Sequence, residues 1–520
     1  MKKIATALLS CALAAATLAG CAANAAQVPQ ESQEPHTAAL TATAAASVKS
    51  PKYVFLFIGD GMSYPQIQST SDYLGALKDA DYWQAQPSLD DNQGAILDGP
   101  EYLNFMNFEA AGSAVTYDSN SFAPDSASTA TSISTGHKTY SGSINVDETG
   151  TIEYETIAEQ LKAQKGWEIG VITSVNLNHA TPAAFYAHQA SRSSYYEIGL
   201  ELVVSGFDYF AGGGLLKPTG SSGDQTDLYE LAQEAGYTVA KTHAEADAIG
   251  TNTEKAIIID EDLADSDAMA YELDRTDDMW ALADYVAKGI EVLDNDTGFF
   301  MMCEGGKIDW ACHANDAASS IHDTQALADA VQVAIDFAKE HADETLILVT
   351  GDHETGGLTI GFAGTDYDTY LDLLENQKIS FAKYDSDYVA SYKANKTPFE
   401  TVLADIEKLF GLKAQGEEGD KLVLTAYEME QLRAAYEKSI NGTASSQYDQ
   451  AEYVLYGTYE PLSVTITHII NNKSGISFTS YSHTGLPVAV LAEGAGSEMF
   501  NGYYDNTDIY NKLADLLNIA

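Results

Sequence analysis

The sequence predicts an α/β fold in which helices cover both faces of a central, mostly parallel sheet. Several continuous apolar runs lack the alternation of a half-exposed strand and are typical of strands buried in a parallel sheet. The clearest are residues 53–58, 299–303 and 345–350. Segments with helical periodicity separate these runs, and strands that alternate with helices favour parallel pairing. With 520 residues, of which 45% are hydrophobic, the chain is long enough for a large globular core.

The charge of the chain restricts its partners. Acidic residues outnumber basic residues by 76 to 27, which gives a formal net charge of −49 at pH 7. A surface this negative disfavours nucleic acid as a specific partner and is repelled by anionic membranes. An anionic substrate must therefore be attracted by cations within its site. A salty habitat, in which self-repulsion is screened, is one explanation for the charge.

The first 20 residues have the organisation of a secretion signal, with a basic end followed by an apolar core. Residues 18–21, Leu-Ala-Gly-Cys, resemble a bacterial lipoprotein box. This pattern predicts export to the periplasm or cell surface, with a lipid anchor on Cys21 as the only attachment to a membrane. Ordinary signal cleavage after Ala26, within a run of small residues, is the alternative.

The rest of the chain divides into a tether and one domain. Residues 21–50 are rich in Ala, Thr and Gln and are expected to form a flexible tether. The domain is predicted to span residues 51–520, with two insertions. The first, at about residues 76–108, is loop-like, and the second, at about residues 366–470, has largely helical patterns.

A cation-binding pattern follows the apolar run that ends near Glu304. Two glycines turn the chain there, and Asp309 and His313 follow at a spacing of four residues. On a helical turn this spacing places both side chains on one face, where they can hold one cation, and Glu304 can hold a neighbouring hard cation. For this stretch alone, a glycine turn with a capping Asp is the alternative. We expect Cys303 and Cys312 to be buried as small apolar groups, and a role as thiolate ligands is the alternative.

Two further strand ends carry side chains of the same kinds. Asp60 lies between two glycines after the first apolar run, and Asp352 and His353 follow the third. His483 precedes residues 488–491, which we predict to be the final strand. Because ligands bind at the carboxyl ends of parallel strands, these side chains predict a metal centre at that edge of the sheet. Turn-forming roles are the alternative for each residue taken alone.

Two residues are candidates for the chemistry of a phosphate group. Ser126 is predicted near the N-terminus of a helix, where free N–H groups and the helix dipole favour anions, so its hydroxyl could attack phosphorus. A capping serine is the alternative. Pro182 is predicted near the start of another helix, and Arg192 about three turns further on, as a phosphate ligand. A surface ion pair is the alternative for Arg192.

Together these motifs resemble those of bacterial alkaline phosphatases, from about residue 53 to the C-terminus. The stretches that carry the resemblance are residues 57–62, 125–131, 179–184, 304–313, 351–354, 483–485 and 504–508. The resemblance implies metal-dependent hydrolysis of a broad range of phosphate monoesters at alkaline pH. It further implies a phosphoserine on Ser126, a phosphate clamp at Arg192 and a homodimer.

The resemblance also implies two zinc ions and one magnesium ion per subunit. The implied ligands are Asp309, His313 and His483 for one zinc, Asp60, Asp352 and His353 for the other, and Asp60, Thr181 and Glu304 for magnesium.

The resemblance places two variable positions near the phosphate and the magnesium, and there the chain has His179 and Trp310, where some members have Asp and Lys. Without that lysine, Arg192 is the main fixed positive side chain at the phosphate, so weaker phosphate retention and altered magnesium affinity are expected. A phosphodiesterase or sulfatase of the same superfamily is one alternative function. A non-catalytic lipoprotein that binds phosphate or metal is another, although binding alone would not need Ser126.

Overall fold

A computed structural model of the protein describes residues 49–79, 82, 96–442 and 448–519. The predicted signal, Cys21 and nearly all of the predicted tether lie outside the described residues. So do residues 80, 81 and 83–95 of the first predicted insertion.

The described residues form fourteen strands, of which ten make one central sheet. In chain order the strands are β1 (Tyr53–Gly59), β2 (Ala110–Val115), β3 (Glu168–Asn176), β4 (Tyr209–Gly213), β5 (Thr238–Ala240), β6 (Ala256–Ile259), β7 (Phe299–Gly305), β8 (Thr345–Gly351), β9 (Glu354–Thr355), β10 (Thr359–Ile360), β11 (Ile476–Ser477), β12 (His483–Thr484), β13 (Val488–Gly494) and β14 (Gly502–Asp505).

The order of strands in the large sheet is β14-β2-β13-β8-β1-β7-β3-β4-β6-β5. Neighbouring strands pair in parallel, except that β13 is antiparallel to both β2 and β8. The predicted α/β fold with a mostly parallel sheet is therefore confirmed. The prediction that residues 488–491 form the final strand is wrong, because β14 follows β13. The sequence pattern does not predict β14, because it is a short, partly exposed edge strand without an apolar run.

The described residues also form seventeen α-helices. In chain order they are α1 (Tyr64–Lys78), α2 (Ser126–Thr135), α3 (Ile157–Lys165), α4 (Ala180–Ala183), α5 (Tyr195–Val204), α6 (Leu228–Glu234), α7 (His243–Asp247), α8 (Leu282–Leu293), α9 (Lys307–His313), α10 (Ala317–Glu340), α11 (Phe381–Tyr384), α12 (Ala390–Asn395), α13 (Phe399–Phe410), α14 (Ala426–Asn441), α15 (Gln450–Tyr456), α16 (Pro461–Ser474) and α17 (Thr507–Leu517). Among the described helices none is long and apolar enough to cross a membrane.

The helix predicted to run from Pro182 towards Arg192 is much shorter than expected. It ends at Ala183, and Arg192 lies in the connection between α4 and α5. The backbone N–H of Gln189 donates to the carbonyl of Ile144, and that of Arg192 donates to the carbonyl of Gly142. Pairing with a distant part of the chain thus replaces the helical hydrogen bonds that the local pattern favours.

The core lies on both faces of the large sheet, as the side chains of β1 illustrate. All seven residues of β1 are buried. Val54 and Leu56 belong to one hydrophobic cluster, whereas Phe55 and Phe57 belong to another. Because successive side chains of a strand point to opposite faces, the two clusters cover the two sides of the sheet.

The segment 366–470 is largely helical and has a hydrophobic cluster of its own. α11 to α16 lie almost entirely within it, together with short 3₁₀ and π turns. Its buried side chains include Tyr384 and Phe410, and the same cluster includes Ala317 and Ile321 of α10. The segment therefore packs directly on the helix that follows the predicted metal ligands of α9.

Candidate metal centre

Three adjacent strands bring the predicted carboxylates together. β1 pairs with β7 and with β8 in a register that aligns Gly59 with both Gly305 and Gly351. Asp60 and Asp352 follow two of these glycines directly, and Glu304 precedes the third. The carboxyl ends of neighbouring parallel strands thus place three carboxylates at one edge of the sheet.

Glycines make the close approach of these strand ends possible. A Cβ atom at Gly351 would lie 1.9 Å from the carbonyl oxygen of Met62, which is too close for any other residue. Gly61 has a φ of +70°, a backbone conformation that favours glycine. Its N–H donates to Oδ1 of Asp352 at 3.1 Å, so the turn after β1 orients a carboxylate of β8.

One cluster combines Asp60, Asp352 and His353, each of which is completely buried. Nε2 of His353 lies 3.2 Å from Oδ1 of Asp60 and 3.4 Å from Oδ2 of Asp352. The hydroxyl of Ser126 lies 3.2 Å from the same Nε2 and 3.4 Å from Oδ1 of Asp60. A serine oxygen therefore shares one small space with two carboxylates and an imidazole nitrogen.

A second cluster combines Asp309, His313 and His483. Asp309 and His313 lie on α9, and the predicted pairing across one helical turn is confirmed, with 3.4 Å between Oδ2 of Asp309 and Nε2 of His313. Nε2 of His483 lies 3.6 Å from Oδ1 of Asp309. Nδ1 of each histidine contacts a backbone carbonyl, that of Tyr481 or Pro124. A proton on Nδ1 then leaves the lone pair of each Nε2 free to bind a metal.

Thr355 connects the two clusters. Its hydroxyl donates to Oδ1 of Asp309 at 2.5 Å and lies 3.2 Å from Nδ1 of His353. A side chain that contacts one member of each cluster fixes their relative orientation.

The residues expected to bind magnesium, Asp60, Thr181 and Glu304, include a carboxylate oxygen without a hydrogen-bond partner. Oε1 of Glu304 is buried and has no hydrogen-bond partner among the described residues, whereas Oε2 accepts from the hydroxyl of Thr173. The hydroxyl of Thr181, on α4, lies 3.4 Å from Oδ2 of Asp60. Burial raises the pKa of Glu304 to about 7. An oxygen of this kind fits a hard cation bound through oxygen ligands.

The buried carboxylates of the site favour the binding of cations. Burial and the neighbouring carboxylates of Asp352, Asp309 and Glu304 raise the pKa of Asp60 well above its ordinary value. Burial also raises the pKa of Asp352. Several carboxylates cannot ionise together in a buried space without compensation, so cations would stabilise their charged forms. Carboxylate and imidazole donors fit zinc, and the oxygen set around Glu304 fits magnesium.

Arg192 is held beside the serine by an ion pair. Its Nη1 donates to Oδ2 of Asp125 at 2.8 Å, and Nη2 lies 3.4 Å from Nε2 of His179. Asp125 is also the N-cap of α2, where its Oδ1 accepts from the N–H of Ser128. The capping residue at the start of the serine helix thus positions the arginine.

His179 and Trp310 lie together at the same site, with ring centroids 5.8 Å apart in an edge-to-face arrangement. Burial and the charge of Arg192 lower the pKa of His179 to about 3, so its imidazole is neutral. Both residues line a cavity of about 400 Å³, and Ser126 and Arg192 line the same cavity. All the predicted site residues that lie within the described part of the chain therefore belong to one region.

Several contacts in the site were not predicted from the sequence. The roles of Thr173 and Thr355 depend on contacts with distant residues, and no local signal indicates them. The capping role of Asp125 has a local signal, because an Asp directly before a run of small helix-forming residues is a common N-cap. Cys303 and Cys312 are buried and unpaired, as predicted.

This sheet edge combines carboxylates, imidazoles and a buried hydroxyl, which are the side chains expected of a metal-dependent hydrolase of the α/β class. Comparison with known proteins gives the particular family. The model of the alkaline phosphatase family matches residues 51–519, and the chain belongs to that family.

Curated relatives and solved structures agree with this assignment. The chain is 30% identical to alkaline phosphatase 4 of Bacillus subtilis over 473 residues, which cover 89% of this chain and 88% of that protein. It is 31% identical to alkaline phosphatase 3 of the same organism over 472 residues, covering 88% and 87%. The cold-active alkaline phosphatase from the psychrophile Shewanella sp. superposes with a TM-score of 0.68 at 28% identity, covering 89% of this chain and 99% of that one.

Proposed function

We propose that Ser126 is the nucleophile in the hydrolysis of phosphate monoesters, the reaction that defines this family. The observation that carries the proposal is the position of its hydroxyl, 3.2 Å from Nε2 of His353 and 3.4 Å from Oδ1 of Asp60. A buried serine surrounded by metal-binding groups has no evident structural purpose. A nucleophile needs this environment, because its hydroxyl must lose a proton to attack.

The reaction proceeds in two displacements at phosphorus. The oxygen of Ser126 forms a bond to phosphorus while the ester P–O bond breaks, so the alcohol leaves and a phosphoserine remains. Water then attacks the same phosphorus, which releases inorganic phosphate and restores the serine. Ser126 is the first residue of α2, where free N–H groups and the helix dipole stabilise the negative charge of the phosphate.

The side chains of the two clusters and of the Glu304 site would hold the metals. Asp60, Asp352 and His353 would hold one zinc, Asp309, His313 and His483 the other, and Asp60, Thr181 and Glu304 a magnesium ion. When bound, such ions supply Lewis acidity that lowers the pKa of the serine and of water and stabilises charge on the leaving oxygen. The unpartnered Oε1 of Glu304 supports the magnesium assignment.

Arg192 would bind two non-bridging oxygens of the phosphate. Its guanidinium is already oriented by Asp125, so little conformational entropy is lost when the bidentate contact forms. Neutral His179 and aromatic Trp310 add no further positive charge. We therefore expect this protein to bind phosphate less tightly than family members that have a lysine at the position of Trp310. We also expect its affinity for magnesium to differ from theirs.

We also propose export, a lipid anchor on Cys21 and a homodimer. The lipoprotein-like residues 18–21 support the anchor, and the family resemblance supports the dimer. Labelled fatty acid should be incorporated by the full chain and not by the Cys21→Ser variant. Incorporation into both would contradict the assignment of the anchor to Cys21.

The first experiment is an assay of chelator-treated protein on a simple phosphate monoester at alkaline pH, with zinc and magnesium added alone and together. We expect zinc to restore activity and magnesium to increase it. A phosphodiesterase or sulfatase is the rival function, and a panel of diesters and sulfate esters distinguishes it. Arg192 and the Glu304 site favour monoesters. A folded protein that is inactive with every metal, or faster on diesters, would overturn the proposal.

A further inference from the structure

The cavity that contains Ser126 extends beyond the groups needed for the phosphate. Its lining also includes four aromatic side chains, namely Tyr271, Trp310, Phe381 and Tyr459. With a volume of about 400 Å³, it is larger than a phosphate group requires. Three of them, Tyr271, Phe381 and Tyr459, are not among the residues that we expect to bind or influence the metals or the phosphate.

Three of the rings pack against one another in a row. Tyr271 and Phe381 have ring centroids 5.8 Å apart at an interplanar angle of 65°, and Phe381 and Tyr459 have centroids 5.7 Å apart at 83°. Edge-to-face contacts of this kind are favourable and leave ring faces free to contact a further ring. Phe381 and Tyr459 are only half-buried, so part of each ring is accessible.

A buried cation holds two of the rings in place. Nζ of Lys307 lies 4.0 Å from the ring centroid of Tyr271 and 4.7 Å from that of Trp310. The same ammonium forms an ion pair with Asp265 at 2.6 Å, and the lysine side chain is completely buried. Such cation–π contacts restrict the rings before any ligand binds, and a preorganised surface loses less entropy on binding.

Tyr271 is the buried member of the three rings. Its side chain is buried, and its hydroxyl has no hydrogen-bond partner among the described residues. Because the hydroxyl oxygen is itself buried, it lies outside the accessible part of the cavity. Burial raises the pKa of Tyr271 well above its ordinary value, so the ring stays uncharged at alkaline pH.

We propose that Phe381 and Tyr459, packed in a row with the buried ring of Tyr271, form a subsite for the alcohol part of the ester, and that the enzyme prefers monoesters whose leaving group carries a planar ring close to the ester oxygen. The inference rests on the proposed function, because it places the phosphate of the same molecule at Ser126. Phe381 and Tyr459 both come from the segment 366–470. That segment therefore determines which alcohols are accepted, whereas the central sheet provides the chemistry.

The test compares benzyl phosphate with ethyl phosphate, using the full-length, metal-loaded enzyme. Both esters release a primary alcohol of similar basicity, so they differ mainly in the ring. We expect a higher kcat/KM for benzyl phosphate. Phe381→Leu and Tyr459→Leu keep apolar bulk but remove a ring, and each should lower kcat/KM for benzyl phosphate about threefold to tenfold, the size of one aromatic contact. The value for ethyl phosphate should not change.

Tyr367 provides a matched control in the same segment. It is 76% exposed and does not line the cavity, so Tyr367→Leu should leave the ratio of the two substrates unchanged. Equal values of kcat/KM for the two esters in the wild type would overturn the subsite. So would equal losses on both esters in the Phe381 and Tyr459 variants, because such losses indicate only a structural role.

Binding of non-hydrolysable analogues separates this inference from the proposed function. Benzylphosphonate and ethylphosphonate can be titrated into the metal-loaded protein by calorimetry. Tighter binding of benzylphosphonate that is lost in Phe381→Leu supports the subsite even in a protein without turnover. Absence of turnover on both esters would contradict the proposed function, whereas equal Kd values for the two phosphonates would overturn the subsite alone.

Discussion

Nε2 of His313 and Nε2 of His483 lie 3.1 Å apart, although 170 residues separate them in the chain. Nδ1 of each ring contacts a backbone carbonyl, and a proton on each Nδ1 would leave both Nε2 atoms as acceptors. Two acceptor nitrogens at this distance repel each other unless they share a cation. The carboxylate of Asp309 lies close to both Nε2 atoms. This arrangement fits two imidazole ligands and one carboxylate ligand of a single cation.

Removal of metal should consequently lower the stability as well as the activity. An ion present at 100 times its Kd adds about 2.7 kcal/mol to the free energy of unfolding. We expect chelator-treated protein to unfold at a lower temperature in calorimetry and zinc to restore the transition. Ser126→Ala, which keeps every proposed ligand, should show the same zinc-dependent gain. A transition temperature that does not respond to zinc would contradict the assignment.

Ser126→Ala should abolish formation of the phosphoenzyme. Loss of a nucleophile lowers kcat by about 10³-fold or more. The measurement is acid quenching with a ³²P-labelled substrate, followed by mapping of the labelled peptide. Ser132→Ala is the control, because its hydroxyl lies on the same helix and donates only to the carbonyl of Ser128. A labelled Ser126→Ala protein would exclude the mechanism.

Arg192→Lys should weaken the binding of phosphate. Lysine keeps the charge but loses the planar fork, and a hydrogen bond to a charged group contributes about 1.5–3 kcal/mol, so we expect the Ki of inorganic phosphate to rise about tenfold or more. Arg275→Lys is the control, since Arg275 also forms an ion pair with a carboxylate, that of Glu272, but does not line the cavity. An unchanged Ki would show that Arg192 does not contact the phosphate.

Gly351→Ala should destabilise the protein and displace Asp352. The added Cβ would lie 1.9 Å from the carbonyl of Met62, and overpacking of this kind costs about 1–3 kcal/mol. Gly214→Ala is a suitable comparison, because its Cβ would meet its nearest neighbour at an ordinary 3.4 Å. Chemical denaturation measures both variants. Equal stabilities would show that the end of β8 can shift without cost.

His188 should contribute stability that depends on pH. Burial alone would lower its pKa, but Glu159 and Glu201 outweigh this effect and raise the pKa to about 10. The contribution is therefore complete below the ordinary histidine pKa near 6.5 and is lost as the pH rises through about 10.

Denaturation of the wild type and of His188→Gln across this range tests the prediction. The partly exposed ion pairs are expected to contribute on the order of 1 kcal/mol after solvent screening. The difference between the two proteins should be largest below pH 6.5 and should disappear near pH 10 and above. Glu201→Gln should show the same trend. A difference that is independent of pH would contradict the ion-pair explanation.

Local patterns in the sequence determine the strands and the polar groups at their ends. The continuous apolar run before Asp60 predicts a strand buried on both faces, and the spacing of Asp309 and His313 predicts a shared helical face. Both are confirmed because they depend only on residues close in sequence, where the strand and helix repeats decide which side chains lie together.

Contacts between distant residues were decided only by the tertiary structure. Arg192 leaves the predicted helix because its backbone pairs with Gly142, and Phe381 reaches the serine cavity because its segment packs on α10. The 3.1 Å approach of His313 to His483 likewise requires the strand order and the loops around it. No local pattern encodes such contacts, because they form only when packing of the whole core brings separate segments together.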